Sequence, residues 1–147
     1  MKSGYVCGVL RHLQTDDYSC GPTALITVLR SLGDTTAERK VRRLCRLSED
    51  GCFDFDVVRA ARKLGFVARY RKRSIGVIRE EISKGYPIFA TRKDLVGHEH
   101  GHFTVLVGFT DKNVITADPA ECTKVRIPIN RVRSLVGRWL VCIRPRE

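Results

Sequence analysis

Between Ala24 and Leu32 the apolar residues recur three and four apart. Ala24, Leu25, Val28, Leu29 and Leu32 share one face, and Gly33 then breaks the run. That spacing predicts a helix over residues 20–32. A second amphipathic stretch turns Val41, Leu44 and Cys45 inward and Arg39, Lys40, Arg42, Arg43 and Arg46 outward, with Thr36 as its expected cap. In a third, Asp54 is the expected cap, Val57, Val58, Ala61 and Leu64 form the buried face, and Gly65 is the stop. A short strand at 66–70 leads to a fourth helix at about 75–84, closed by Gly85.

Beyond Gly85 the period changes to that of strands. Residues 87–91 read as one strand. Residues 103–109 are apolar on both faces apart from Thr104, the pattern of a central strand covered on each side. Asp111, Lys112 and Asn113 form a hairpin turn into a strand at 114–117. A strand at 125–127, a short helix near 129–135 and a last strand at 139–143 complete the set, with Trp139 expected in the core. Helices followed by antiparallel strands define an α+β domain rather than a doubly wound sheet. There is no repeat, linker or low-complexity segment, so residues 1–147 are read as a single domain.

Composition narrows the class. At 147 residues the chain can bury a core without staples. Lys2, Arg11 and His12 interrupt an N-terminal stretch too short and mixed for a signal peptide. No run of about 18 apolar residues offers a membrane span. The expectation is a soluble, cytosolic protein. The six cysteines are irregularly spaced and contain no CxxC pair, so Cys7, Cys45, Cys52, Cys122 and Cys142 are read as buried thiols in a reducing compartment. Net charge is +11, which suits an acidic partner. The basic residues lie in separate runs without interleaved aromatics, so nucleic acid is not the expected partner and a solvated surface is.

Cys20 stands apart from the other cysteines. It opens the first helix in the run Cys20-Gly21-Pro22. There the helix dipole and unpaired N–H groups favour a thiolate, the form that attacks a carbonyl. Pro22 suits a first helical turn because its missing N–H costs nothing there. His102 heads the central strand and is the candidate base; Asp118, after the hairpin, is the candidate orienter that holds its tautomer. Gln14 has a side-chain N–H that, with the Cys20 backbone N–H, can hold an oxyanion. Singly, each has an ordinary structural reading; their order and spacing favour a joint role.

The motifs Gln14-x5-Cys20, Asp17-Tyr18-Ser19-Cys20-Gly21-Pro22-Thr23-Ala24-Leu25, His102-Phe103-Thr104-Val105-Leu106 and Asp118-Pro119-Ala120 resemble the bacteriocin-processing peptidase family. These are papain-like domains that cut double-glycine leader peptides at the head of certain ABC exporters. The resemblance implies a papain-like cysteine peptidase fold, with Cys20 as nucleophile, His102 as base, Asp118 as orienter and Gln14 in the oxyanion hole. It also implies a peptide or small-protein substrate and a narrow cleft preferring glycine before the cut. Exporter-borne relatives continue into membrane helices and an ATPase, whereas this chain stops at Glu147, so the expectation is a substrate not delivered by an attached transporter.

No cofactor is expected. Zinc on His98, His100 and His102 is the alternative for that crowded stretch, because alternating histidines on a strand share a face. Two other functions compete with hydrolysis. An acyl transferase, amidase or ubiquitin-like-protein protease would use the same four residues. A peptide- or nucleic-acid-binding module would use the cleft or the charge without chemistry.

Overall fold

A computed structural model describes residues 5–6, 20–49, 51–93, 102–117 and 125–146. The elements in chain order are β1 (Tyr5–Val6), α1 (Cys20–Ser31), α2 (Glu38–Leu44), α3 (Asp54–Lys63), β2 (Phe66–Lys72), α4 (Ile75–Ser83), β3 (Ile88–Arg92), β4 (His102–Phe109), β5 (Asn113–Ala117), β6 (Val125–Pro128), a 3-10 turn (Ile129–Arg131), α5 (Val132–Leu135) and β7 (Trp139–Pro145). The expected α+β order holds, with helices first and most of the strands after them.

The strands form one antiparallel sheet in the order β2-β7-β3-β4-β5-β6, and β1 pairs with the far end of β4. β7, last in the chain, is inserted between β2 and β3. The sheet is covered on both faces. Val105 and Val107 of β4 join α1, α2 and α3 in one core, while Leu106 and Phe109 join Ile78 and Ile82 of α4 and Val132 of α5 in the other. This is the double covering that the apolar run 103–109 predicted, and Thr104 is as buried as its neighbours. A register shift between Leu106 and Gly108 bends β4 where β1 joins it.

α1 is the central helix, with every residue from Gly21 to Leu29 buried. Its end is fixed by Gly33, whose φ of 84° lies in the left-handed region that suits glycine. The Asp34 N–H donates to the Leu29 carbonyl and the Gly33 N–H to the Arg30 carbonyl, a Schellman closure. The Arg30 guanidinium then donates to the carbonyls of Asp34 and Thr36.

Three local expectations fail. Thr36 does not cap α2: Asp34 Oδ1 accepts from its N–H and Arg30 occupies its carbonyl, so the helix starts after Ala37, with no side-chain cap. Asp54 is the first helical residue of α3, and Asp56 supplies the polar closure by accepting from the Phe53 N–H at 3.0 Å. Trp139 is 52% exposed. It opens β7 opposite Lys72 at the end of β2, where alternation buries its neighbour Leu140 instead.

Candidate active site

Cys20 is the first residue of α1 and is half-buried, the one position in that helix before complete burial begins. The adjoining residue shows why the helix starts so close to the sheet. A Cβ at Gly21 would lie 2.6 Å from Cys52 Sγ and 3.2 Å from Phe103 Cδ2. Only hydrogen fits there. The start of α1 is therefore seated directly on the start of β4 and on the strand-like turn that precedes α3.

Cys20 and His102 each lie one residue from this Gly21–Phe103 contact, so folding brings the two motifs to one end of the sheet. His102 is the first residue of β4 and is fully buried. Its cross-strand partner is Arg92, which is 5% exposed. Phe103 packs with the core beneath α1, its ring 4.9 Å from that of Phe89 and tilted by 34° to it. Strand alternation gives His102 the parity of Leu106, whose row faces away from α1, whereas Phe103 lies on the row beneath it. β5 ends at Ala117, opposite Val105, at the same end of the sheet as His102. Gln14 and Asp118 lie outside the described residues.

The remaining thiols divide by environment. Among the described residues Cys20, Cys45, Cys52 and Cys142 form no disulfide. A hydrogen bond donated to Cys52, followed by burial, pushes the Cys45 thiol well up. Burial first, and then the nearby Glu81 carboxylate, pushes the Cys142 thiol up to about 12. Both stay protonated and unreactive at neutral pH, as expected for core cysteines. Cys52 is only half-buried and touches the helix that Cys20 opens, a contact that its position in the sequence did not signal because it spans 31 residues of chain.

Two aromatic rings follow Cys52. Phe53 and Phe55 stack at 5.1 Å and are 67% and 54% exposed, an apolar surface at the start of α3. Among the described residues no group of three or more His, Cys, Asp or Glu side chains is placed to hold a metal. His98 and His100, which the zinc alternative requires, lie outside them. No helix among the described residues is long and apolar enough to cross a membrane.

A half-buried cysteine heading a central helix, packed against a strand that begins with histidine, is the arrangement of a papain-like cysteine peptidase. The chain belongs to the peptidase C39 family, whose pattern it matches over residues 11–145. It is 34% identical over 136 residues to an uncharacterized protein of Methanothermobacter thermautotrophicus, covering 90% of this chain and 87% of that protein. Its fold matches the peptidase domain of Streptococcus ComA, a bi-functional ABC transporter involved in quorum sensing, with a TM-score of 0.79 at 24% identity over 97% of this chain and 99% of that one. It also matches a double-glycine motif protease from an AMS/PCAT transporter, solved in complex with the leader peptide, with a TM-score of 0.76 at 24% identity over 96% and 94%.

Proposed function

We propose that this peptidase is a thiol endopeptidase that cleaves a peptide or small protein after glycine, through Cys20, His102, Asp118 and Gln14. The observation that carries the reading is the close seating of Gly21 on Phe103, which draws the residue before each, Cys20 and His102, to one end of the sheet. The resemblance of the Gln14 and Asp118 motifs supplies the other two roles.

In this mechanism the Cys20 thiol gives its proton to His102, and its sulfur attacks the carbonyl carbon of the glycine before the cut. The developing oxyanion accepts from the Cys20 backbone N–H and the Gln14 side-chain N–H, the second being worth about 10²–10³ in rate. His102, oriented by Asp118, protonates the departing amine and then takes a proton from the water that hydrolyses the thioester. The preference for glycine follows from a cleft with little room beside the reacting carbonyl. The exposed rings of Phe53 and Phe55 provide apolar surface for side chains further along the substrate. The AMS/PCAT protease, whose fold this chain shares, was solved with a leader peptide, which supports a peptide as the substrate here.

The test is cleavage of a peptide library by the wild-type protein beside Cys20→Ala. Cleavage after glycine that vanishes in the variant, with an unchanged circular dichroism spectrum, is the expected result. Full activity in the variant would remove Cys20 from the mechanism. Product masses separate hydrolysis, which adds water, from acyl transfer, which leaves a new amide.

A further inference from the structure

Two of the basic runs in this sequence are more than fifty residues apart, yet they converge. The pairing of β2 with β7 brings the end of the first, Lys72 and Arg73, to the second, Arg131 to Arg138. Between them lies a cavity of about 640 Å³ lined by Lys72, Arg73, Arg133, Arg138, Ser74 and three aliphatic side chains, Ile75, Ile129 and Val132. Among the described residues no carboxylate lines it. Ile75 and Val132 pack with the core beneath α4 and α5, so the cavity lies on the face of the sheet opposite α1.

The cationic wall is partly fixed in place. The Arg73 backbone N–H donates to the Arg138 carbonyl at 2.8 Å, and its guanidinium Nη1 donates to the Val136 carbonyl. That leaves the other guanidinium donors of Arg73 available in a fixed fork, the geometry that suits phosphate. Among the described residues Lys72, Arg133 and Arg138 make no ion pair, whereas Arg71, the neighbour on β2, is held by both Glu80 and Glu81. The start of α4 opens at the same place, with Ser74 as its cap, and adds the positive end of a nine-residue helix.

We propose that this cavity binds a small phosphorylated molecule carrying two or more phosphate charges. Its volume falls in the range of small-molecule sites. Its aliphatic residues suit an apolar or planar moiety, and its unpaired cations suit the phosphates. The site is separate from the peptidase centre and does not depend on the proposed cleavage chemistry.

Binding of tripolyphosphate and of ATP, measured by isothermal titration calorimetry at fixed ionic strength, tests it. The double variant Arg133→Glu/Arg138→Glu changes two exposed residues and is checked for an unchanged melting temperature. Its expected effect is at least about ten-fold weaker binding, from the loss of charge-assisted hydrogen bonds. The control, Arg39→Glu/Lys40→Glu on the exposed face of α2, changes net charge equally and is expected to leave affinity within about two-fold. Loss of affinity in the first variant alone supports the site. Absence of binding by the wild type, or equal loss in both variants, would overturn it, since the second result is the behaviour of net charge alone. Binding of ATP tighter than tripolyphosphate assigns the aliphatic residues to a nucleoside; equal affinity assigns recognition to the phosphates.

Discussion

At the scale of single residues, Gly21 sets the tightest tolerance among the described glycines, next to the proposed nucleophile Cys20. A methyl group there meets Cys52 Sγ at 2.6 Å, well inside contact distance. Gly21→Ala is expected to cost about 1–3 kcal/mol through overpacking and to lower peptidase activity by shifting the start of α1. Because the closest obstacle is one sulfur atom, Gly21→Ala/Cys52→Ala should recover part of that loss. A double-mutant cycle on urea denaturation reads the coupling, and strict additivity would show that Cys52 is not the obstacle. Cys142 gives a pH dependence. Its folded thiol holds its proton up to about 12 against a usual value of 9.0, so the native state retains a proton that the unfolded chain releases. Stability from this group is intact below pH 9 and drains as the pH rises toward 12. Between pH 9 and about 11, Cys142→Ala should lose stability less steeply than the wild type, by up to about 1.4 kcal/mol per pH unit. Cys45 shifts in the same direction, so some slope remains. Residue identity revealed the nucleophile candidate in the sequence, since a Cys-Gly-Pro start is unusual. It did not reveal Cys52 as that residue's neighbour, nor the exposure of Trp139, because both depend on what packs alongside.

At the scale of elements, the caps show where local sequence decides and where it is overruled. Ser74 accepts from the Val77 N–H at 3.0 Å and starts α4. Ser74→Ala should therefore lower stability by about 1 kcal/mol, read as a fall in the urea midpoint. α2 has the opposite deficit: Ala37 is its extended N-cap and offers no acceptor. Ala37→Ser should raise stability by about 0.5–1 kcal/mol, and an unchanged midpoint would mean that water already satisfies those N–H groups. Thr36 has the right chemistry for this cap one position too early, and Arg30 and Asp34 occupy its backbone groups. The helices were legible from their apolar spacing, and α1, α3 and α4 also from the glycines that close them, whereas α2 ends on Arg46 at a φ of 54°. The capping residues of α2 and α3 were not, because a cap depends on where neighbouring side chains draw the chain.

At the scale of the whole molecule, the sheet order makes the C-terminus structural. β7 pairs with β2 along its whole length, from Trp139 against Lys72 to Pro145 against Phe66, and with β3 on its other side. Removing residues 139–147 would leave β2 without a partner and uncover both cores, which contain Leu140 and Cys142 on one face and Val141 and Ile143 on the other. The truncated chain is expected to lose its cooperative urea transition; retention of a sharp transition would mean that the remaining strands form a domain by themselves. The sequence by itself determined the helical and strand periods and the α+β order, and it nominated Cys20 and His102 as candidates, because periodicity and residue type are properties of short stretches. Only the tertiary structure decided that β7 runs between β2 and β3, that Gly21 seats the first helix on Phe103 and Cys52, and that basic runs distant in the chain share one cavity. Those facts come from contacts between residues far apart in sequence, and such contacts are selected by how all the apolar faces can be buried together.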